Sequence, residues 1–108
     1  MWIEYKGDGL AGPVRIGWVH VSQKGKRLDY RGKSFHTLSG QGFKSNYYDT
    51  STGEEYWITG CRKDGRNALY STNVEIDEDA AEHYWVSIRG KADNKHIRRF
   101  HANGKYKS

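Results

Sequence analysis

Five histidines, His20, His36, His83, His96 and His101, are the first side chains in this sequence that could hold a metal or move a proton. Their spacing argues against a metal. No pair has the H-x3-H repeat of a helical zinc site, and His96 and His101 lie in an aperiodic basic stretch. Most of them read as isolated surface residues. His36, between Phe35 and Thr37, would act as a general base if the fold set it near Asp29 or Glu55. Glu54 and Glu55 are adjacent, so on a strand they point to opposite faces and cannot work as an acid pair. Asp77, Glu78 and Asp79 resemble a cation-binding run, but their place at a helix start is explained by capping and the helix dipole. Cys61 precedes Arg62 and Lys63, whose charge lowers a thiol pKa, yet no histidine adjoins it in sequence. Gly7, Gly9 and Gly12 do not form a phosphate-binding loop. No catalytic residue, metal or cofactor is therefore assigned.

A stronger signal is the interleaving of cations and aromatics. Lys24, Lys26, Arg27, Tyr30, Arg31 and Lys33 crowd one expected hairpin, and Lys44, Tyr47, Tyr48, Trp57, Arg62, Lys63 and Arg66 surround the next. Single-strand nucleic-acid binders combine a cationic groove with aromatic faces on which bases stack, each stack worth ~1–3 kcal/mol. The expected interface consists of Tyr48 and Trp57 with Lys24, Lys26, Arg27, Arg31, Arg62, Lys63 and Arg66, aided by Arg98 and Arg99. The competing role of these aromatics is the core itself, because Val, Ile and Leu are too few to fill one. Tyr47 and Tyr48 are strand neighbours, so one faces inward and the other outward.

The elements that would position these residues are mostly strands. Val14, Ile16 and Trp18 alternate on one face, and Val19 and Val21 on the other, a slip near Gly17 that reads as a bulge. With Leu28 and Tyr30, residues 14–31 form an expected hairpin. Phe35, Thr37 and Leu38 make a further segment before Gly40 and Gly42. Asn46–Tyr48 and Glu55–Ile58 flank Asp49–Gly53 as the clearest hairpin. Lys63-Asp64-Gly65 signals a turn, and Ala68–Tyr70 with Val74–Ile76 gives one more strand or two short ones. A helix is expected over about 78–89, with Asp77 as N-cap and Ala81, Tyr84, Trp85 and Ile88 as its apolar stripe. Arg89 and Gly90 mark its end. The resulting fold class is mainly β: a small, strongly bent antiparallel sheet, or an SH3-like or OB-like barrel, with one C-terminal helix.

The chain has 108 residues, room for one domain. Its 35% hydrophobic content is modest, but 14% aromatic residues can build a thin core. Residues 1–53 carry eight Lys and Arg against four Asp and Glu, and residues 54–90 the reverse, so these halves cancel. The formal charge of +5 thus belongs to residues 91–108, where six cations face Asp93 alone. The expected organisation is a β-rich domain over 1–90 and a basic, flexible tail over 91–108. Such a tail either attracts polyanions or simply aids solubility. There is no apolar run of membrane-spanning length and no signal-peptide pattern, so the expected location is the cytoplasm, away from membranes. One cysteine excludes an intramolecular disulfide.

Several segments together resemble a family of short uncharacterised bacterial proteins. They are Met1–Leu10 (MWIEYKGDGL), Gly42–Asp49 (GFKSNYYD), Thr52–Gly60 (TGEEYWITG) with Arg62–Gly65, and Val74–Asp77 with Tyr84 and Trp85. The likeness covers residues 1 to about 90 and leaves the basic tail outside it. Members sometimes carry the label 1-deoxy-D-xylulose-5-phosphate synthase, but 108 residues are far too few for that thiamine-diphosphate enzyme. The resemblance implies a bacterial cytosolic origin and no known activity. The leading expectation is a non-enzymatic module that binds nucleic acid through the basic and aromatic sheet surface. One alternative is a protein-interaction or homo-oligomeric module that pairs its basic and acidic segments. Another is a small metal-independent nuclease using His36 as base, with Lys or Arg stabilising the phosphorane.

Overall fold

The computed structural model describes residues 1–106 except Asp8, Leu10, Ala11 and Phe43. Nine short strands among these residues form one sheet: β1 (Trp2–Tyr5), β2 (Val14–Ile16), β3 (His20–Val21), β4 (Arg27–Tyr30), β5 (Lys33–Thr37), β6 (Tyr47–Asp49), β7 (Glu55–Thr59), β8 (Thr72–Ile76) and β9 (Arg99–Ala102). Their spatial order is β3-β4-β5-β6-β7-β1-β2-β8-β9. Every pairing is antiparallel except β2 with β8, which run parallel. The expectation of a mainly β, bent sheet with a short helix holds, with that parallel pair as the departure from a purely antiparallel one.

The chain bends where the alternation slips. Residues 17–19 separate β2 from β3, so one short segment supplies β2 and the β3 edge at the far end of the sheet. A side chain at Gly17 would put its Cβ 2.3 Å from an Asp77 carboxylate oxygen and 2.7 Å from the Tyr30 ring, so the close approach here requires glycine. Between β4 and β5, Tyr30 pairs with Lys33 and only Arg31 and Gly32 turn the chain, with φ of 49° and 80°. Two positive φ values in a two-residue loop match the twist of a tight hairpin.

Apolar residues collect on both faces of the sheet. On one face Trp2, Val14, Ile16, Val74, Ile76 and Ala102 pack under a helical segment that contributes Ala80, Ala81, Tyr84 and Trp85. On the other, Ile3, Leu28, Tyr30, Phe35 and Ile58 form a second core. β1 lies at the centre, and Trp2, Ile3 and Glu4 are buried in succession. A strand covered on both sides shows a continuous run instead of alternation, so periodicity does not reveal it. On the helix-covered face, Lys6 pairs with buried Glu4 at 2.8 Å, and the Trp2 indole N–H donates to the same carboxylate at 3.1 Å.

The helical segment spans 78–88, opening as a 3-10 turn (Glu78–Ala80) and ending in a π-helical stretch (His83–Ile88). The Asp77 side chain does not cap it. That carboxylate is drawn instead to cations across the sheet, described below. Residues 91–106, expected as a flexible tail, pack against the domain. A 3-10 turn (Ala92–Asn94) leads to β9, whose Phe100 lies 5.4 Å from the Trp85 ring and whose Ala102 is buried. The Trp85 indole donates to the Ile97 carbonyl at 2.8 Å. High charge hides the short alternation of Phe100 and Ala102, and these two apolar side chains hold the segment on the core.

Candidate binding groove

The second core lies on the concave side of the sheet. Tyr30 on β4 meets Arg15 on β2, although four strands separate them in the sheet, so the sheet must curl toward the face they share. Arg15 is held there by local alternation: Val14 and Ile16 enter the helix-covered core, which directs Arg15 to the other face. The curl encloses a groove of about 1080 Å³. Ile3 and Phe35 lie along its floor, and Tyr5, Tyr30 and Tyr56 line its walls. Tyr56 is the centre of the aromatic wall, edge-on to Tyr5 at 5.4 Å and to Phe35 at 5.0 Å between ring centroids. Burial, with the negative charges of Glu54 and Asp49 adding to it, raises the Tyr56 phenol above its ordinary range.

Charged groups ring this apolar floor. Arg15, Arg31, Lys33 and Arg99 face the groove together with Glu54 and Glu75. Asp77 gathers three of the donors near one end: Arg15, the Tyr30 hydroxyl at 2.5 Å, and Arg31 at 3.3 Å. Arg15 also donates to the Tyr30 oxygen at 3.1 Å and pairs with Glu75 at 3.1 Å. The Tyr30 hydrogen bond and then Asp77 raise the Arg15 pKa further, so this guanidinium is a permanent charge. Arg99 lies 3.8 Å from Glu75. Lys33 is exposed and has no ion pair among the described residues.

The residues expected to form one interface divide among several surfaces. Arg31 and Arg99 reach the groove. Arg98 lies nearby and pairs with Glu78 at 3.7 Å. Tyr48 and Trp57 project from the opposite face of β6 and β7, where Tyr48 stands across from His36 and Trp57 across from Glu4. Arg27 shares that outer face and pairs with Asp29 at 3.1 Å. Lys24 and Lys26 are exposed in the turn before β4. Arg62, Lys63 and Arg66 occupy the turn after β7, where Arg62 is held by Asp64 at 3.0 Å.

No family model, curated protein or solved structure matches this chain. The site is therefore read from its own geometry.

His36 faces Arg27 and Tyr48 across its neighbouring strands, not a carboxylate. His83 packs on Trp18 with centroids 4.7 Å apart, and His101 bonds to Asn73 at 3.0 Å. Among the described residues no group of three His, Cys, Asp or Glu side chains is placed to hold a metal ion. Burial pushes the Cys61 thiol up, which outweighs the nearby N-terminal ammonium and disfavours the nucleophilic thiolate. Tyr5, Phe35, Tyr56 and Arg15 were not singled out by the sequence as site residues. The usable signal was alternation: Tyr56 must face away from Trp57, and a cation between two core residues must face away from them.

Proposed function

We propose that the chain is a non-enzymatic module that binds single-stranded nucleic acid in the concave groove. A base would lie against Tyr56 and Tyr5, with flanking phosphates at Lys33, Arg31 and Arg99. The observation that carries this reading is one groove combining an aromatic wall with four cations against two carboxylates. Every base has a π-face, so such a wall tolerates any sequence. This moves the stacking surface from Trp57 and Tyr48 to the concave side. On this reading the module works in the cytoplasm, consistent with the bacterial origin implied by the family resemblance; among the described residues no helix is long and apolar enough to cross a membrane.

The test is fluorescence anisotropy of a labelled oligonucleotide across a salt series. Two or three neutralised phosphates give a log–log salt slope of about −2 for a single strand. Tyr56→Leu and, separately, Lys33→Glu should weaken binding, and Trp57→Ala should leave it unchanged. Binding lost with Trp57→Ala but kept with Tyr56→Leu would place the ligand on the outer face and refute the groove.

A further inference from the structure

A second hollow, of about 790 Å³, lies beside β9 and the end of the helical segment. Arg62, Arg66, Arg89, Lys91 and Lys105 line it, and among the described residues Asp64 is the one carboxylate that does so. Five cations against that carboxylate leave four positive charges around one concavity. A protein surface that concentrates like charges in this way is electrostatically unfavourable unless a counter-ion occupies it.

One of these cations is held in place. The Arg89 guanidinium lies 5.6 Å from the Trp85 ring centroid and 6.0 Å from that of Tyr84, and it donates to the Tyr84 hydroxyl at 3.2 Å. On its other side, a Cβ at Gly65 would come within 2.3 Å of its Nη1. Its Nε is buried and has no hydrogen-bond partner among the described residues. Asp64 fixes the opposite wall by accepting from Arg62 at 3.0 Å and from the Arg66 backbone N–H at 2.9 Å. Arg66, Lys91 and Lys105 make no ion pair among the described residues and are exposed. A planar guanidinium held against aromatic rings, with the exposed ammonium groups of Lys91 and Lys105 around it, is suited to the several oxygens of a phosphate.

We propose that this hollow binds a compact phosphate-bearing anion, at a site separate from the concave groove. The probe is inorganic pyrophosphate, titrated at low ionic strength and followed by calorimetry and by the emission of Trp85, which lines the hollow. Saturable binding is expected, and Arg66→Ala with Lys91→Ala should weaken it roughly tenfold per cation removed. Both positions are exposed, so the double variant should keep its fold, checked by an unchanged melting midpoint without ligand. Lys33→Glu in the groove should leave pyrophosphate binding intact. A 5′-phosphorylated oligonucleotide is the second arm. If the double variant weakens only the oligonucleotide and pyrophosphate never binds, the hollow is an extension of a polymer path and the compact-anion site is refuted. Pyrophosphate binding that survives the double variant refutes it as well.

Discussion

Asp77→Ala tests whether the polar cluster at the end of the groove holds the curl of the sheet. The Asp77 side chain is 11% exposed and takes donors from β2, β4 and the turn after β4. Truncation removes the partner of the Tyr30 hydroxyl, worth about 1 kcal/mol for a neutral hydrogen bond. Arg15 keeps Glu75, so its loss is also about 1 kcal/mol, below the range for a wholly orphaned charge. Arg31 is 59% exposed, and screening limits its share to at most about 0.5 kcal/mol. Together these give a destabilisation of about 2–3 kcal/mol, or a melting midpoint lower by ~10–15 °C for a domain of this size. Urea unfolding followed by tryptophan emission measures it directly. Tyr30→Phe removes the hydroxyl alone, and a double-mutant cycle should show a coupling of about 1 kcal/mol between the two positions. A loss below about 0.5 kcal/mol for Asp77→Ala would mean that apolar packing alone sets the curl, and the account of the cluster would fall.

Gly17→Ala should cost ~1–3 kcal/mol through overpacking against Asp77 and Tyr30, and less in an Asp77→Ala background because one clashing partner is gone; denaturation of the four variants checks both. Burial raises the phenols of Tyr30, Tyr56 and Tyr84 above 10.0, so the folded chain holds these protons more tightly than the unfolded one. Their contribution is therefore intact below pH 10.0 and is lost as pH rises through the folded-state values. A pH series of unfolding midpoints, read beside phenolate absorbance, should show falling stability as these three phenols ionise. Cys61 should react slowly with a thiol reagent in the native state and rapidly in denaturant; equal rates would contradict its burial.

Local chemistry made much of this fold legible. The slip of alternation at Gly17, expected as a bulge within a 14–31 hairpin, is instead the break between β2 and β3, of which only β3 pairs with β4, whereas the Asp49–Gly53 turn joins β6 to β7 where composition places it. Tyr47 turns inward, its hydroxyl donating to the Gly25 carbonyl at 2.9 Å, and Tyr48 turns outward. The stripe of Ala81, Tyr84, Trp85 and Ile88 faces the core as its spacing requires. Long-range pairing was not legible. β1 is covered on both faces, with even Glu4 buried, so no period shows, and β9 is a four-residue strand inside a run of cations. Asp77 has the residue type and position of a helix cap, but the curl of the sheet offers it two guanidinium groups and a phenol instead. The groove follows from that same curl, so residues far apart in sequence, such as Tyr5, Phe35, Tyr56 and Arg99, line it without any local motif.

The central position of β1 has a consequence for how the chain comes to be folded. Its first partner, β2, is a short loop away, but its second partner is β7, with Ile3 opposite Ile58. β2 in turn waits for β8, with Ile16 beside Ile76. Each of these ladders closes a loop of about half the chain length, and such pairings must form before they can compensate for the entropy of closing it. As the polypeptide leaves a ribosome, Trp2 and Ile3 emerge ahead of β7 and stay without that partner until Glu55–Thr59 has followed. Refolding should thus occupy the millisecond-to-second range of non-local β proteins, and the opening strand is the segment that a chaperone would meet exposed.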